Sequence, residues 1–343
     1  MKISSAIRYV FALLLFTITI LFIYIVNIYV EIAVTKILPE GTRRNIVVDR
    51  GIKVRNFSKK LEELGLVSSS THFTVAYISQ HPSKTLQAGL YEIKESDTLL
   101  DLVEKIARGA SLMEKMTFVE GWEWQQIKHK MRSDKQFINH NDQDILSFVN
   151  KRFAHRINGN RNFKNIEGLM MPDTYKFKRG IQDLTIISEA VERQVSFLEK
   201  VWKGRDRTTN YKNPYQALIV ASLIEKESRY PPEYAKISAV ILNRINKKIP
   251  IQIDASVIYG LGKHQNRLFY SDLRKPTPYN MYMNKGLPPT PISMPSKKAI
   301  IAALHPHKFD ALFYVLNANK SNQHIFTNNF KDHLAAKNNN KIG

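Results

Sequence analysis

The chain has 343 residues, enough for two or three domains with their own hydrophobic cores. It carries 51 Lys and Arg residues against 30 Asp and Glu residues, a formal net charge of +21. This excess indicates an anionic partner or surrounding, such as nucleic acid, an acidic membrane face or an anionic wall polymer, without choosing among them. The absence of cysteine excludes disulfides, thiolate catalysis and cysteine metal sites.

Residues 9–30 form an uninterrupted apolar run without a charged side chain. Because about 20 apolar residues cross a bilayer, the run predicts a single transmembrane helix. A cleaved signal peptide is the alternative, but its apolar core is shorter and ends in small residues. Lys2 and Arg8 precede the run, which places residues 1–8 in the cytoplasm and the body outside it, although Lys36 and two arginines beyond the run weaken the asymmetry.

Residues 40–130 alternate between short strand and helix patterns, which predicts a small α+β module. The predicted strands are 45–49, 89–93 and 113–119, and the predicted helices are 54–65, 70–79, 97–109 and 122–131. The rings of Tyr91, Trp122 and Trp124 either present a sugar-binding surface or pack in the module.

The stretch from Pro214 to Tyr230 predicts a buried helix that ends in two carboxylates. No charged residue occurs from Ala217 to Ile224, and Pro214 suits the first turn of a helix. The prolines at 231 and 232 end it.

Glu225 and Glu227 lie about 200° apart around this helix, so they cannot both enter one site. Glu225 stands over Ala221 and Ser222, whose small side chains leave room for a cleft. We therefore expect Glu225 to be the catalytic acid. The alternative is that both carboxylates belong to the solvated end of a core helix.

Further candidates lie on either side of this helix. Glu167 and Asp173, in the segment IEGLMMPDTYKF, either line a cleft or hold turns. Alternation in IPIQIDASVIYGLG predicts a strand with Gln252, Asp254 and Ser256 on one side.

The last third of the chain contains a long loop, and long ordered loops in compact domains are usually functional. Residues 278–295 are too rich in proline for a regular element. The predicted elements around the loop are a helix at 232–248, strands at 310–318 and 322–329, and a disordered tail at 336–343. His305 and His307 lack the partners of a metal site.

Five blocks in this order carry a family resemblance: EGLMMPDTY, ASLIEKES, QIDASVIYG, PYNMY with GLPPTPI, and HIFTNN. Together they resemble the endolytic murein transglycosylase family, also called YceG-like. The resemblance implies an α+β fold with one N-terminal transmembrane helix, a LysM-like module at 40–130 and a catalytic domain at 131–335, with the catalytic glutamate at the end of a buried helix.

The resemblance also assigns site residues. It places Glu225 on the family's catalytic glutamate in the ASxxEKE block. The candidate substrate-binding residues are those of the QTDPTV and YNTY blocks together with the acidic residue of the first block: Gln252, Asp254, Ser256, Asn280, Tyr282 and Glu167.

Several positions depart from the family pattern beside polar positions that are retained. Ile253 and Ala255 replace Thr and Pro, Met281 replaces Thr, Met294 replaces Asn, and a Met170-Met171 pair stands where the family has Leu or Tyr followed by Phe. We expect altered packing or subsite detail from them.

The implied reaction is cleavage of the bond between N-acetylmuramic acid and N-acetylglucosamine in peptidoglycan, leaving a 1,6-anhydro end and ending glycan elongation. One carboxylate suffices as acid and then base, so we expect a raised pKa at Glu225 and neither metal nor organic cofactor. The implied partners are glycan strands, the cytoplasmic membrane and peptidoglycan synthases.

Two other classes of protein compete with this interpretation. A catalytically inert wall-binding scaffold would keep the sugar cleft without turnover. The positive charge alone suggests a nucleic-acid-binding protein. Against this class, the sequence has no recognition motif, and the anchor would place the basic body outside the cytoplasm.

Overall fold

The computed structural model describes residues 5–133, 137–159, 161–262, 268–318 and 322–339, with side chains from residue 7 onward. The chain forms two compact units, one of residues 1–114 and 176–181 and one of residues 115–175 and 182–343. The chain returns to the first unit at residues 176–181, where Arg179 pairs with Glu114 at 2.8 Å. The domain bounds of 40–130 and 131–335 stay a prediction.

The first unit begins with helix α1 (Ser5–Ala33). From Ile7 to Ala33 this helix is long and apolar enough to cross a membrane by length and composition. Most of its apolar side chains are exposed, whereas Ile28 packs against the core of the unit and Ile32 is buried in it.

The rest of the first unit follows the expected order of elements. These are β1 (Arg43–Val48), α2 (Val54–Glu63), α3 (Ser70–Gln80), β2 (Gly89–Lys94), α4 (Leu99–Arg108) and the start of β3 (Met113–Thr117). Strands β1 and β2 are antiparallel, with Ile46 opposite Tyr91. The α+β prediction is confirmed for this unit, and its LysM-like character stays a prediction.

The three aromatic candidates of this half do not form an exposed sugar platform. Tyr91 is fully buried and donates a hydrogen bond to the Gln87 carbonyl oxygen at 2.8 Å, so its ring is core packing. Trp124 is 8% exposed and Trp122 is half-buried.

The second unit is mostly helical. Its elements are α5 (Trp124–Ser133), β4 (Phe137–Ile138), α6 (Asp142–Val149), a π-helical turn (Asn150–Ala154), α7 (His155–Ile157), β5 (Thr174–Lys178), β6 (Ile181–Gln182), α8 (Asp183–Trp202), α9 (Pro214–Glu227), α10 (Tyr234–Asn246), α11 (Asp254–Gly260), α12 (Lys297–Leu304), β7 (Phe313–Leu316), β8 (His324–Thr327) and α13 (Phe330–Asn339), with short 3-10 turns at Arg207–Thr209, Pro231–Glu233 and Asp272–Arg274. Strands β3 and β5 pair, as do β4 and β6, and β7 and β8 form an antiparallel hairpin.

Helix α9 lies at the centre of this unit, packed against α8, α10 and α12. It begins as predicted, with Pro214 in the first turn and the Asn213 side chain accepting from the Gln216 amide. Tyr215 and every residue from Ala217 to Ile224 are buried, which confirms the prediction of a core helix.

Two expectations for this half are wrong. Residues 254–260 form helix α11 instead of continuing a strand. Gln252 turns the chain with a φ of +61°, and its main-chain amide bonds the Met281 carbonyl oxygen. Helix α13 covers residues 336–339 of the expected disordered tail, and residues 340–343 lie outside the described residues. Among the described residues no group of His, Asp and Glu could hold a metal ion.

Candidate active site

The two carboxylates at the end of α9 contact different parts of the second unit. Glu225 accepts a hydrogen bond from the Ser296 amide at 2.9 Å, just before α12 begins. Glu227 accepts one from the Tyr314 hydroxyl, on β7, at 2.5 Å. The prediction that they face different sites is therefore confirmed.

The space beneath Glu225 is not a cleft. Ser222 is fully buried, and its hydroxyl oxygen accepts a hydrogen bond from the Ile292 amide at 3.0 Å. The Ser222 carbonyl oxygen accepts another from the Ser293 hydroxyl at 3.2 Å. The small side chains of α9 therefore make room for the loop at 291–294, and the expectation of a sugar cleft at this place is wrong.

Glu227, in contrast, borders an open cavity of about 300 Å³, which we call the Glu227 cavity. Glu225 is not among its lining residues. Three predicted substrate-binding residues meet Glu227 here, with others from α10, β7 and α13; the complete lining is Glu227, Val240, Arg244, Ile251, Gln252, Asp254, Tyr282, Leu312, Phe313, Tyr314 and His333.

Hydrogen bonds fix the polar side chains of this cavity. Tyr282 donates its hydroxyl hydrogen to Asp254 Oδ1 at 2.5 Å. Arg244 donates to the carbonyl oxygens of Pro250 and Leu312 at 2.7 and 2.8 Å, and also to the side-chain oxygen of Gln252. Gln252 thus has an anchored side chain and a left-handed backbone conformation. Such backbone strain at a residue other than glycine is often found at functional sites.

The environment of Glu227 suits a proton donor. The pKa of Glu227 is raised to about 7, mainly by burial; the Tyr314 hydrogen bond lowers it and the charge of Asp254 raises it. A carboxyl with this pKa is half protonated at neutral pH, as a general acid requires.

Glu225 also has a raised pKa, as expected from the sequence. Burial is the main cause, the nearby Glu120 adds to it, and hydrogen bonds from Ser296 and Tyr234 oppose it. A raised pKa therefore does not distinguish the two carboxylates, whereas access to the cavity does.

Ser256 and Asn280 are fully buried, and their side chains form hydrogen bonds with main-chain groups. Ser256 donates to the Ile253 carbonyl oxygen at 2.6 Å. Asn280 donates to the carbonyl oxygens of Leu273 and Lys275, and its own side-chain oxygen accepts from the Tyr282 amide at 3.0 Å. Both residues thus shape the loops that carry Gln252, Asp254 and Tyr282, rather than presenting polar groups to a ligand.

Most departures from the family pattern lie in packed positions. Ile253, Met281, Met294, Met170 and Met171 are each at most 2% exposed. Met294 exchanges main-chain hydrogen bonds with Gly121 and Trp122, at 2.8 and 2.7 Å. These substitutions change the core behind the loops and leave the lining of the Glu227 cavity intact.

Glu167 belongs to a second cavity, of about 530 Å³, which we call the Glu167 cavity. Only 3% of Glu167 is exposed. Its carboxylate accepts from the Trp124 amide at 3.1 Å and from the Tyr259 hydroxyl at 3.2 Å. Burial raises its pKa to about 8. Glu167 therefore both holds a turn and lines a cavity, while Asp173 lies on the surface beside Arg193.

Sequence reasoning missed Arg244 and Tyr314. Arg244 sits in the basic end of α10 and Tyr314 in an apolar strand, where neither stands out from its neighbours. Only the packing of β7 beside α10 brings them to the end of α9.

Comparison with known proteins gives consistent matches over nearly the whole chain. The model of the YceG-like family matches residues 46–339. An endolytic murein transglycosylase of Bacillus subtilis (strain 168) is 31% identical over 307 residues, which cover 86% of this chain and 84% of that protein. One of Streptococcus pneumoniae (strain ATCC BAA-255 / R6) is 26% identical over 83% of this chain and 56% of its own length.

A solved structure also resembles the fold. The crystal structure of a putative yceG-like protein, lmo1499 of Listeria monocytogenes, aligns with a TM-score of 0.56 and 26% sequence identity. The alignment covers 86% of this chain and 99% of that one.

Proposed function

The chain belongs to the YceG-like family, and from this premise we propose that it is an endolytic murein transglycosylase that cleaves the β-1,4 bond between N-acetylmuramic acid and N-acetylglucosamine within peptidoglycan strands. The enzyme is a lytic transglycosylase and therefore a lyase. Its cut leaves a 1,6-anhydro end on the muramic acid residue and ends the elongation of that strand.

Glu227 is the acid in this proposal, in place of Glu225. The observation that carries the choice is the Glu227 cavity, which gathers Glu227, Gln252, Asp254 and Tyr282 around one open space. Glu225 instead accepts the amide of Ser296 and joins α9 to the start of α12.

The reaction uses one carboxyl twice. Protonated Glu227 gives its proton to the glycosidic oxygen as the bond from that oxygen to C1 of muramic acid breaks. The resulting carboxylate takes the proton of the sugar's own 6-hydroxyl, whose oxygen bonds to C1. No water is consumed, and Glu227 ends protonated as it began.

The other residues of the cavity have separate tasks. Asp254 keeps the pKa of Glu227 high and, with Tyr282, forms a fixed hydrogen-bonding edge for the sugar. Arg244 fixes the side chain of Gln252, and the side-chain amide of Gln252 binds the acetamido groups. Ordinary glycosidases use a second carboxylate to activate water, and here Asp254 is engaged by Tyr282 instead.

Helix α1 anchors the enzyme in the cytoplasmic membrane, with the N-terminus inside and the part of the chain that follows α1 outside the cytoplasm. Its length and composition support this anchoring, and Lys2 and Arg8 support the orientation. The net charge of +21 attracts the body to anionic lipids and wall polymers, and peptidoglycan synthases are the partners that the family suggests. A C-terminal reporter that is active only in the cytoplasm would overturn this topology.

The choice of acid is tested with the purified full-length protein on isolated peptidoglycan, with products identified by mass spectrometry. We expect anhydro-ended muropeptides from the wild type and a loss of at least about 1,000-fold in Glu227→Gln, because the proton donor is gone. Glu225→Gln keeps an acceptor for the Ser296 amide, so we expect at least a tenth of wild-type activity.

The reverse ranking of the two variants would restore Glu225 as the acid. Products with reducing ends would indicate a hydrolase. Absence of cleavage by the wild type, together with retained glycan binding, would favour an inert scaffold.

A further inference from the structure

The Glu167 cavity has no part in the reaction described above. It is larger than the Glu227 cavity and of ordinary size for a ligand pocket. Its lining combines acids, amides and aromatic rings: Glu123, Trp124, Gln125, Asp142, Gln143, Leu146, Lys164, Asn165, Ile166, Glu167, Ile258, Tyr259, Gly262 and Tyr279.

The charges of this lining are largely compensated, although the whole chain carries +21. Glu123 pairs with Lys226 at 3.0 Å, and Asp142 pairs with Lys128 at 2.7 Å. Burial holds Glu167 mainly in its neutral form at pH 7, and Lys164 stands exposed at the rim. A cavity of this kind favours an uncharged polar ligand over a phosphate or a carboxylate.

Glu167 supplies a rare kind of group, a buried carboxylic acid that can donate as well as accept. The Trp124 amide already occupies an acceptor position of its carboxyl. The proton of the neutral acid is then available to Tyr259 or to a carbonyl oxygen that enters the cavity. The amide carbonyl of an acetamido group is such an acceptor.

Aromatic rings and amides complete a lining suited to a sugar. Tyr259 and Tyr279 stand edge to face, with ring centroids 4.9 Å apart. Rings of this kind present apolar faces beside polar tips, which fits the mixed surface of a saccharide. Gln125 and Gln143 are exposed at the mouth and offer both donors and acceptors.

Three short connections along the chain join residues of this cavity to residues of the Glu227 cavity. Asp254 and Tyr259 are five residues apart on α11, about 8 Å along a helix axis. Tyr279 and Tyr282 are three residues apart in one loop. Lys226, which pairs with Glu123, directly precedes Glu227 in the chain. Neighbouring residues of one polymer could therefore occupy both cavities.

We propose that the Glu167 cavity is a second saccharide subsite that binds an N-acetylhexosamine residue of the strand whose bond lies at Glu227. The inference rests on the proposed function for the identity of the strand. It adds a binding site, with Glu167 hydrogen-bonding the acetamido carbonyl oxygen and the tyrosines contacting the ring.

Binding is measured by calorimetry on the full-length Glu227→Gln protein in detergent micelles, with a β-1,4-linked tetramer of N-acetylglucosamine as the probe. Replacing Glu167 by Gln keeps a neutral donor and acceptor, so we expect affinity within about threefold. Replacing it by Leu removes both functions, and we expect a loss of at least about tenfold.

A second pair of variants guards against misfolding after a change at a buried residue. Gln143→Trp places a large ring at the mouth from an exposed position on α6, and we expect it to weaken tetramer binding at least fivefold. His129→Trp makes the same change at an exposed position on α5 outside the lining and should leave binding unchanged.

The inference is overturned if the tetramer does not bind, or if the Leu and Gln143→Trp variants bind it as tightly as the parent. Failure of the proposed function looks different. In that case the wild type yields no anhydro product from peptidoglycan, whatever the tetramer affinities are.

Discussion

At the scale of the residue, the chemistry depends on which of two neighbouring carboxylates meets the open cavity. Glu227 receives opposing influences there, because burial and Asp254 raise its pKa while Tyr314 lowers it. General acid catalysis requires the protonated form, so activity should fall as the pH rises through about 7.

Asp254→Asn removes a negative charge that disfavours ionisation of Glu227. We expect the pKa of Glu227 to fall, so the alkaline limb of the kcat/KM profile should move to lower pH by about one unit. The profile is measured on peptidoglycan by the release of anhydro-muropeptides. A limb that stays in place would contradict the coupling, whatever the loss in overall rate.

Tyr314→Phe acts in the opposite direction, because it removes a hydrogen bond that favours the carboxylate form of Glu227. The alkaline limb should move to higher pH in the same assay. Tyr211→Phe is the matched control, since Tyr211 lies outside the Glu227 cavity and bonds the Ala303 carbonyl oxygen. Equal shifts in the two Phe variants would point to a general effect of tyrosine loss.

At the scale of the element, the site depends on how the loop at 291–296 packs against α9. Ser222 holds the loop from one side through the Ile292 amide and the Ser293 hydroxyl. Gly168 approaches it from the other side, with a φ of +75° and without a side chain to collide with Pro291. The segment that contains Glu167 can therefore lie this close to the loop because position 168 is a glycine.

Gly168→Ala combines a strained backbone with a clash against the Pro291 ring, so we expect a loss of roughly 2–4 kcal/mol in the free energy of unfolding. Gly159 has a similar φ of +63°, but no atom of the described residues lies within 4 Å of the place its Cβ would take. Gly159→Ala should therefore cost only about 1 kcal/mol. Denaturant unfolding of both variants measures the difference, and equal losses would exclude the packing contribution.

At the scale of the whole molecule, two acids with raised pKa values couple stability to pH. The pKa values of Glu167 and Glu227 rise from 4.5 to about 8 and about 7 in the folded protein. Between these values and 4.5 the folded state binds more protons than the unfolded state. Their contribution to stability is therefore complete below about pH 4.5 and declines as the pH rises toward 8.

We expect the free energy of unfolding of the second unit to be smaller at pH 8 than at pH 5, by an amount on the order of a few kcal/mol. Glu167→Gln removes the larger contribution, so its stability relative to the wild type should increase with pH. Asp310→Asn, at an exposed carboxylate, is the control and should follow the wild type. An unchanged pH slope in Glu167→Gln would contradict the buried-acid account.

The sequence by itself determined the features that depend on near neighbours in the chain. The apolar run of α9 with Pro214 at its start, the end of α4 at Gly109 and the hairpin strands β7 and β8 all follow from local spacing and local dihedral preferences. The order of five motif blocks likewise identified the family, and the divergence of Glu225 and Glu227 followed from helix geometry alone.

Only the tertiary structure decided what each of these carboxylates faces. A helix period fixes the angle between two side chains but not their surroundings, and those come from distant segments: Ser296 for Glu225, and Tyr314 with Asp254 for Glu227. Alternation around Gln252 likewise predicted a strand where helix α11 forms. The main-chain amide of Gln252 bonds the Met281 carbonyl oxygen, and local spacing cannot predict such a non-local contact. The identity of the acid and the presence of a second cavity thus depend on contacts made through packing.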